Sequence, residues 1–224
     1  MAIILNINTA FETASVSLSN DNEIINKAES NSQKDHASFL EPAIKRICND
    51  AQIDLNALNA VSVINGPGSY TGLRVGLSSA KAICYALKKP LILLNTLDVM
   101  AFALKFQSSM QMAHLLFCPL IDARRMEVYT ALYNNDLKLV KEYSSEIIEN
   151  SFLEFERKAN IIVAGGNGSM KMQTILNDSS IVYINLPSLS KPAAFLAYKA
   201  FIAGDFSEVA YSEPFYLKPV YFRK

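Results

Sequence analysis

At the start of the chain, apolar and polar residues alternate with the two-residue period of β-strands. Residues 3–9 are mostly apolar and β-branched, and in residues 13–19 apolar side chains alternate with serine. A turn of Asn-Asp-Asn then leads into residues 23–30. Strict alternation bounded by Asn and Asp is typical of β-hairpins. We therefore expect the chain to begin with three strands.

After these strands the period of the apolar residues becomes that of an α-helix. Leu40, Ala43, Ile44, Ile47 and Cys48 form one apolar stripe at helical spacing. The elements predicted to follow alternate between short apolar strands and helices, over residues 60–64, 71–88, 91–94 and 96–104.

The second half of the chain repeats this order of elements. Its strands and helices are predicted over residues 115–121, 127–133, 137–143, 152–158, 161–164, 169–176, 181–186 and 190–203. The order β-β-β-α-β-α-β-α therefore occurs twice. This is the plan of tandem ribonuclease-H-like domains in the actin, hexokinase and Hsp70 (ASKHA) superfamily of α/β proteins. We predict an N-terminal domain over residues 1–107 and a C-terminal domain over residues 108–224, whose last residues can return to the first domain.

Composition limits the partners and the compartment of the chain. Its 224 residues include 21 Lys plus Arg and 21 Asp plus Glu, so the net charge is zero and gives no sign of a nucleic-acid-binding face. Cys48, Cys84 and Cys118 lie far apart in apolar runs, as expected for reduced core thiols. No apolar run approaches the ~18 residues of a membrane helix, and the N-terminus does not resemble a signal peptide. We expect a soluble, cytoplasmic protein.

Nucleotide-binding proteins of this fold hold phosphates in two β-hairpins, each typically with an Asp for the metal ion and small residues beside the phosphate. The first hairpin here carries Asn8, and an amide lacks the charge that Mg²⁺ favours. The second carries Asp122, but Arg124 occupies the position expected for a small residue. An Asp in a tight turn that bonds only to its neighbours is an equally good interpretation of Asp122.

A glycine-rich turn is the second candidate for binding a cofactor. Gly165, Gly166 and Gly168 lie between a predicted strand and a predicted helix, where backbone N–H groups can face an anion. A tight strand-to-helix turn accounts for the same residues. Together with Asp122, these glycines keep open an alternative function, a stand-alone ATPase or small-molecule kinase.

Metal and nucleophile chemistry finds little support in the sequence. The histidines, His36 and His114, lack the spacing of metal ligands. The chain contains no Gly-x-Ser-x-Gly nucleophile elbow, and its cysteines, which lie inside apolar runs, are expected to pack in the core. A peptidase is therefore the third and least supported alternative.

The run at residues 66–76 predicts a turn that opens the helix over residues 71–88. Gly72, Gly76 and Ala80 repeat at a spacing of four and make one face of this helix nearly flat. Glycine inside a helix costs roughly 1 kcal/mol relative to alanine, so a close backbone approach is expected at this face. On the residues alone, that backbone belongs equally well to the chain's own sheet or to a partner protein.

The run at residues 65–76 also resembles the signature of the bacterial TsaB (YeaZ) family. The resemblance extends over nearly the whole chain, with further matching segments at residues 7–10, 14–18, 40–44, 121–124, 127–129 and 213–217. It implies an actin-like fold of two domains. It also implies a role in forming threonylcarbamoyladenosine beside the anticodon of tRNAs that read codons starting with A.

Membership of this family implies a set of partners. TsaB-like proteins are the non-catalytic partners of a TsaD-type subunit, which transfers the threonylcarbamoyl group, and a TsaE-type ATPase completes the machinery. The helices matching residues 39–50 and 71–88 pair with the equivalent helices of the TsaD-type subunit, or with a second copy when that subunit is absent. The implied partner interface contains Leu40, Ile44, Ile47, Gly72, Leu73, Gly76, Leu77 and Ala80.

A departure from the TsaD pattern sharpens the non-catalytic prediction. TsaD-like proteins follow the strand that matches residues 91–94 with two histidines that bind the catalytic metal. Thr96 and Met100 stand at those positions here, and neither replaces an imidazole ligand. We therefore expect no catalytic residue and no metal or cofactor site in the isolated chain. ATP or ADP and the metal would belong to partner subunits, and tRNA would be reached through the complex.

Overall fold

The computed structural model describes residues 1–30, 36–108, 110 and 113–218. Within them, the predicted order β-β-β-α-β-α-β-α is confirmed in both halves. The elements of the first half are β1 (Ile3–Asn8), β2 (Ser15–Asn20), β3 (Glu23–Glu29), α1 (His36–Asp50), β4 (Ala60–Gly66), α2 (Tyr70–Leu87), β5 (Leu91–Asn95) and α3 (Thr96–Ser108). Those of the second half are β6 (Leu115–Asp122), β7 (Glu127–Tyr133), β8 (Leu139–Ile147), α4 (Glu154–Ala159), β9 (Ile161–Gly165), α5 (Ser169–Ile175), β10 (Ile181–Ile184) and α6 (Ser190–Ala203).

Each half builds one sheet, and the two sheets have the same topology. The first has the strand order β3-β2-β1-β4-β5, and the second has the order β10-β9-β6-β7-β8, which is the same arrangement read from its other end. In the first sheet β1 pairs antiparallel with β2 and parallel with β4, so that Ile7 lies opposite both Val16 and Val63. In the second, β6 pairs antiparallel with β7 and parallel with β9. The predicted tandem ribonuclease-H-like fold is confirmed.

The core of the first sheet explains why α1 and α2 form where they do. Both helices are amphipathic and contact each other, and their apolar stripes cover the buried side chains of β1, β2 and β4. The shared cluster includes Leu5, Ile7, Val16, Leu40, Ile44, Ile47, Val61, Val63, Leu77 and Ala80. At about 25 cal/mol per Å² of buried apolar surface, such side chains supply most of the stabilisation of this unit.

The compact units of the chain have other bounds than the predicted 1–107 and 108–224. The first unit comprises Met1–Thr96 and Ser188–Phe215, and the second comprises Leu97–Pro187 and Tyr216–Lys224. The chain thus returns to the first unit for a whole helix and the segment after it, rather than for its last residues only. Residues 219–224, which the prediction assigned to the second domain, lie outside the described residues.

Side-chain packing explains both differences in the bounds. Helix α3 belongs to the second unit because the Asp98 carboxylate accepts hydrogen bonds from the hydroxyls of Tyr133 (2.6 Å) and Tyr143 (2.9 Å). Helix α6 packs against β1, β2, β3 and β5 of the first sheet. Its buried residues are Ser190, Pro192, Ala193, Ala194 and Ala197, whose small side chains let the helix lie close to that sheet.

Candidate functional site

The glycine-rich run joins the end of β4 to the start of α2 and binds the turn that follows β1. Ser69 caps α2, since its side-chain oxygen accepts a hydrogen bond from the N–H of Gly72 at 3.3 Å. The Ser69 N–H donates to the carbonyl of Ala10 at 2.8 Å. Gly66 has a φ of +123°, and a Cβ there would collide with the carbonyl oxygen of Phe215. Glycine is therefore required at this turn.

The glycine face of α2, formed by Gly72, Gly76 and Ala80, receives the chain's own backbone. A Cβ at Gly72 would overlap the carbonyl oxygen of Thr9, and a Cβ at Gly76 would overlap the Thr9 hydroxyl. That hydroxyl donates to the carbonyl of Gly72 at 2.7 Å. Of the two alternatives open from sequence, the structure favours the chain's own sheet at this face.

The prediction that these residues form the partner interface is therefore corrected. All of them are buried within the first unit, where they pack on its own strands and on each other: Leu40, Ile44, Ile47, Gly72, Leu73, Gly76, Leu77 and Ala80. Their spacing correctly predicts the two helices, but the residues lie on the inward side of each helix. A partner that docks on α1 and α2 must contact the opposite side.

The opposite side of these two helices, which we call the outer face, is exposed. On α2 it presents Ser78, Ala82 and Tyr85, and the Tyr85 side chain is 83% exposed. On α1 it presents Glu41 and Lys45. The Glu41 carboxylate accepts a hydrogen bond from the Ser79 hydroxyl at 3.2 Å, an exposed contact between the two helices. This face is not among the surfaces predicted from sequence, although its small residues repeat at helical spacing opposite the apolar stripe.

The two residues predicted to stand at the positions of the TsaD histidines, Thr96 and Met100, are buried. Thr96 is 0% exposed and Met100 is 1% exposed. The terminal methyl of Met100 occupies the space that a Cβ on Gly166 would need. Among the described residues, no group of three or more His, Cys, Asp or Glu side chains is placed to hold a metal ion. His36 is buried and its Nε2 lies 3.2 Å from the carbonyl oxygen of Glu12, as a structural histidine does.

The Asp122 carboxylate is engaged by its own unit. Its Oδ1 accepts hydrogen bonds from the Lys171 ammonium at 2.7 Å and from the N–H of Arg124 at 2.6 Å. Desolvation raises the pKa of Asp122, but the bonds from Lys171 and Arg124 outweigh it, and the pKa lies below its ordinary value. The alternative of an Asp in a tight turn describes this geometry.

The glycine-rich turn between β9 and α5 is likewise filled by the chain itself. A Cβ on Gly165 would meet the carbonyl of Ile184, and one on Gly166 would meet the carbonyl of Leu120. A Cβ on Gly168 would crowd the carbonyl carbons of Leu120 and Ile121. Glycine at these positions is thus explained by close packing on neighbouring strands, without a phosphate.

The cysteines are poor nucleophiles in this fold. Burial raises the pKa of Cys84 to about 11 and that of Cys118 to about 12, and it also raises the pKa of Cys48. All three thiols are free and buried, so they serve as small core residues. Within the part of the chain that the structure describes, no helix is long and apolar enough to cross a membrane.

Comparison with known proteins relates this geometry to one family. A family model described as "TsaD: tRNA N6-adenosine threonylcarbamoyltransferase" matches residues 23–216. A Buchnera aphidicola protein named "tRNA threonylcarbamoyladenosine biosynthesis protein TsaB" is 28% identical over 206 residues, covering 88% of this chain and 89% of the relative. The protein of the same name from Escherichia coli is 27% identical over 223 residues, covering 96% of this chain and 94% of the relative.

A solved structure shares the fold of the chain. YeaZ from Pseudomonas aeruginosa superposes with a TM-score of 0.80 at 21% sequence identity, over 97% of this chain and 100% of that chain. At this identity the similarity shows the fold alone.

The glycine face generates a prediction about stability. We expect Gly72→Ala to lower the free energy of unfolding by roughly 1–3 kcal/mol, because the new methyl group must displace the backbone at Thr9. Urea denaturation measures the change. Ser78→Ala on the outer face is the matched control and should stay within about 0.5 kcal/mol of wild type. Equal stability of Gly72→Ala and Ser78→Ala would contradict the close approach at Thr9.

The Asp122–Lys171 pair generates a prediction about pH. The pKa of Asp122 is lower in the folded protein than in the unfolded chain, where it is about 3.9. The ionised carboxylate therefore stabilises the fold above the unfolded pKa, and this stabilisation is lost as pH falls through the folded pKa. We expect Asp122→Asn to cost up to about 1 kcal/mol at pH 7 and nothing near pH 2, since this pair is partly exposed. Denaturation at both pH values tests this, with the exposed Glu142→Gln as control. A penalty that does not change with pH would refute it.

Proposed function

We propose that this chain, which belongs to the TsaD family, is a TsaB-type subunit. In this role it supports a TsaD-type transferase in forming threonylcarbamoyladenosine in tRNA. One observation carries the proposal: relatives named TsaB match the chain over nearly its full length and nearly theirs. We further propose the cytoplasm as its location, to which the three free, buried thiols are suited.

We propose that this subunit is not itself catalytic. Three features support this. The positions of the two TsaD histidines hold Thr96 and Met100, and both are buried. Asn8 uses its side-chain oxygen to accept the N–H of Ala10 at 3.1 Å. Asp122 is paired with Lys171. ATP or ADP and the catalytic metal would then belong to partner subunits, which include a TsaE-type ATPase.

The outer face of α1 and α2 is the docking surface that we propose for the TsaD-type subunit. Its small residues Ser78 and Ala82 leave room for a second helix pair to approach, and the exposed aromatic ring of Tyr85 is the type of side chain that anchors interfaces. The same face would join two copies of this chain when the TsaD-type subunit is absent. tRNA would then be engaged through the complex.

The alternative of a stand-alone ATPase or small-molecule kinase has no specific observation in its favour. The glycines that suggested it pack on their own strands, and Asp122 is paired. Calorimetry of the isolated chain with Mg-ATP discriminates between the two functions. Micromolar binding with turnover would contradict the proposed supporting role.

The proposed docking surface predicts the effect of introducing arginine side chains on the outer face. Ser78→Arg and Ala82→Arg should weaken the heterodimer with the TsaD-type subunit on the order of tenfold or more, because each places a long charged side chain where a helix must approach. Both positions are exposed, so the melting temperature of the isolated chain should hardly change. Calorimetry and size-exclusion chromatography with light scattering measure the complex.

The control for this experiment is Gln173→Arg on α5. It adds the same positive charge at an exposed position that is distant in sequence from the outer face. It should leave the heterodimer intact. If the two outer-face variants bind the TsaD-type subunit as tightly as the Gln173 variant does, the docking surface is misplaced.

A further inference from the structure

The hairpin between β6 and β7 ends in a tight turn that carries two adjacent arginines. Hydrogen bonds from the Ala123 N–H to the Glu127 carbonyl (3.0 Å) and from the Glu127 N–H to the Arg124 carbonyl (3.1 Å) close the turn. Its tip, Arg124, Arg125 and Met126, is exposed, and we call it the arginine turn.

The backbone of the arginine turn is unfavourable for its residues. Arg124 has a φ of +73° and Arg125 a φ of +49°, both in the left-handed region. Hairpin turns with positive φ normally use Gly, which has no Cβ to crowd the carbonyl oxygen, or Asn and Asp, whose short polar side chains form hydrogen bonds locally. Two arginines at such positions are a local outlier, and outliers of this kind concentrate at functional sites.

No contact within the described part of the chain accounts for the arginine side chains. Neither the Arg124 nor the Arg125 guanidinium makes a hydrogen bond, an ion pair or a ring contact with the described residues. The carboxylates beside them are already neutralised: Asp122 is paired with Lys171, and Glu127 with Lys218. Among the residues that the structure describes, the two arginine charges therefore have no carboxylate partner.

We propose that Arg124 and Arg125 contact the phosphate backbone of tRNA when the chain acts in its complex. This inference rests on the proposed function, which supplies the RNA. A guanidinium presents a planar fork of donors that matches two phosphate oxygens, and such contacts position a nucleic acid without reading its sequence. Two exposed arginines at one tip would let a chain of zero net charge contact RNA.

The experiment measures binding of an unmodified tRNA transcript by the complex of this chain with its TsaD-type subunit, at several salt concentrations. The double variant Arg124→Ala/Arg125→Ala should raise the apparent Kd about tenfold and lower the slope of log Kd against log salt by about one to two, since two phosphate contacts are lost. Arg124→Lys/Arg125→Lys keeps both charges and should retain most of the affinity.

The matched control is Lys138→Ala/Lys199→Ala, which removes two exposed charges. Lys138 lies beyond the far end of β7 from the arginine turn, and Lys199 lies on α6. This variant should bind tRNA like wild type. A second readout is stability: Arg125→Gly should melt no lower than wild type, because glycine tolerates the positive φ, while it still weakens tRNA binding.

The outcomes separate this inference from the proposed function. If the wild-type chain forms no complex with the TsaD-type subunit, the proposed function fails and this inference fails with it. If the complex forms but the double alanine variant binds tRNA within twofold of wild type, this inference alone is overturned. It is also overturned if that variant loses affinity for Mg-ATP instead of tRNA, since the phosphate would then be that of a nucleotide.

Discussion

The close contact between Thr9 and the glycine face of α2 is the constraint on which the first unit depends. The Thr9 carbonyl and hydroxyl lie where side chains on Gly72 and Gly76 would be, and the hydroxyl donates to the helix backbone. This contact places α2 directly against the end of β1. It also decides which side of the helix is left for anything else, because a helix that buries its flattest side on its own strand presents the opposite side to solvent.

The sequence predicts the order of strands and helices correctly, but it does not predict which surfaces contact each other. Periods of two and of about 3.6 residues located the strands and helices of both halves because each element buries one side. The same periodicity cannot say what packs against Gly72 and Gly76, since a strand of the same chain and a helix of a partner both favour small residues. Together with the family resemblance, the spacing predicts a partner at the small-residue face of α2, whereas Thr9 of the same chain packs there.

The remaining differences have the same origin, contacts between residues distant in sequence. Helix α6 is apolar on most of its surface, so its sequence indicates burial without indicating which sheet buries it. The ion pair between Asp122 and Lys171 joins residues on different elements, and no local sequence pattern predicts it. The glycine-rich turn at Gly165 likewise packs on residues distant in sequence, since a Cβ there would meet the carbonyl of Ile184.

The two repeated halves end their first strands in the same way. Asn8 at the end of β1 accepts the N–H of Ala10, and Asp122 at the end of β6 accepts the N–H of Arg124. The shared requirement at this corner is a side-chain oxygen that accepts a backbone N–H two residues later, which an amide meets as well as a carboxylate does. A site for Mg²⁺ would need the negative charge that Asn8 lacks. Asn8 therefore meets the structural requirement of this corner without supplying the charge that a bound Mg²⁺ favours.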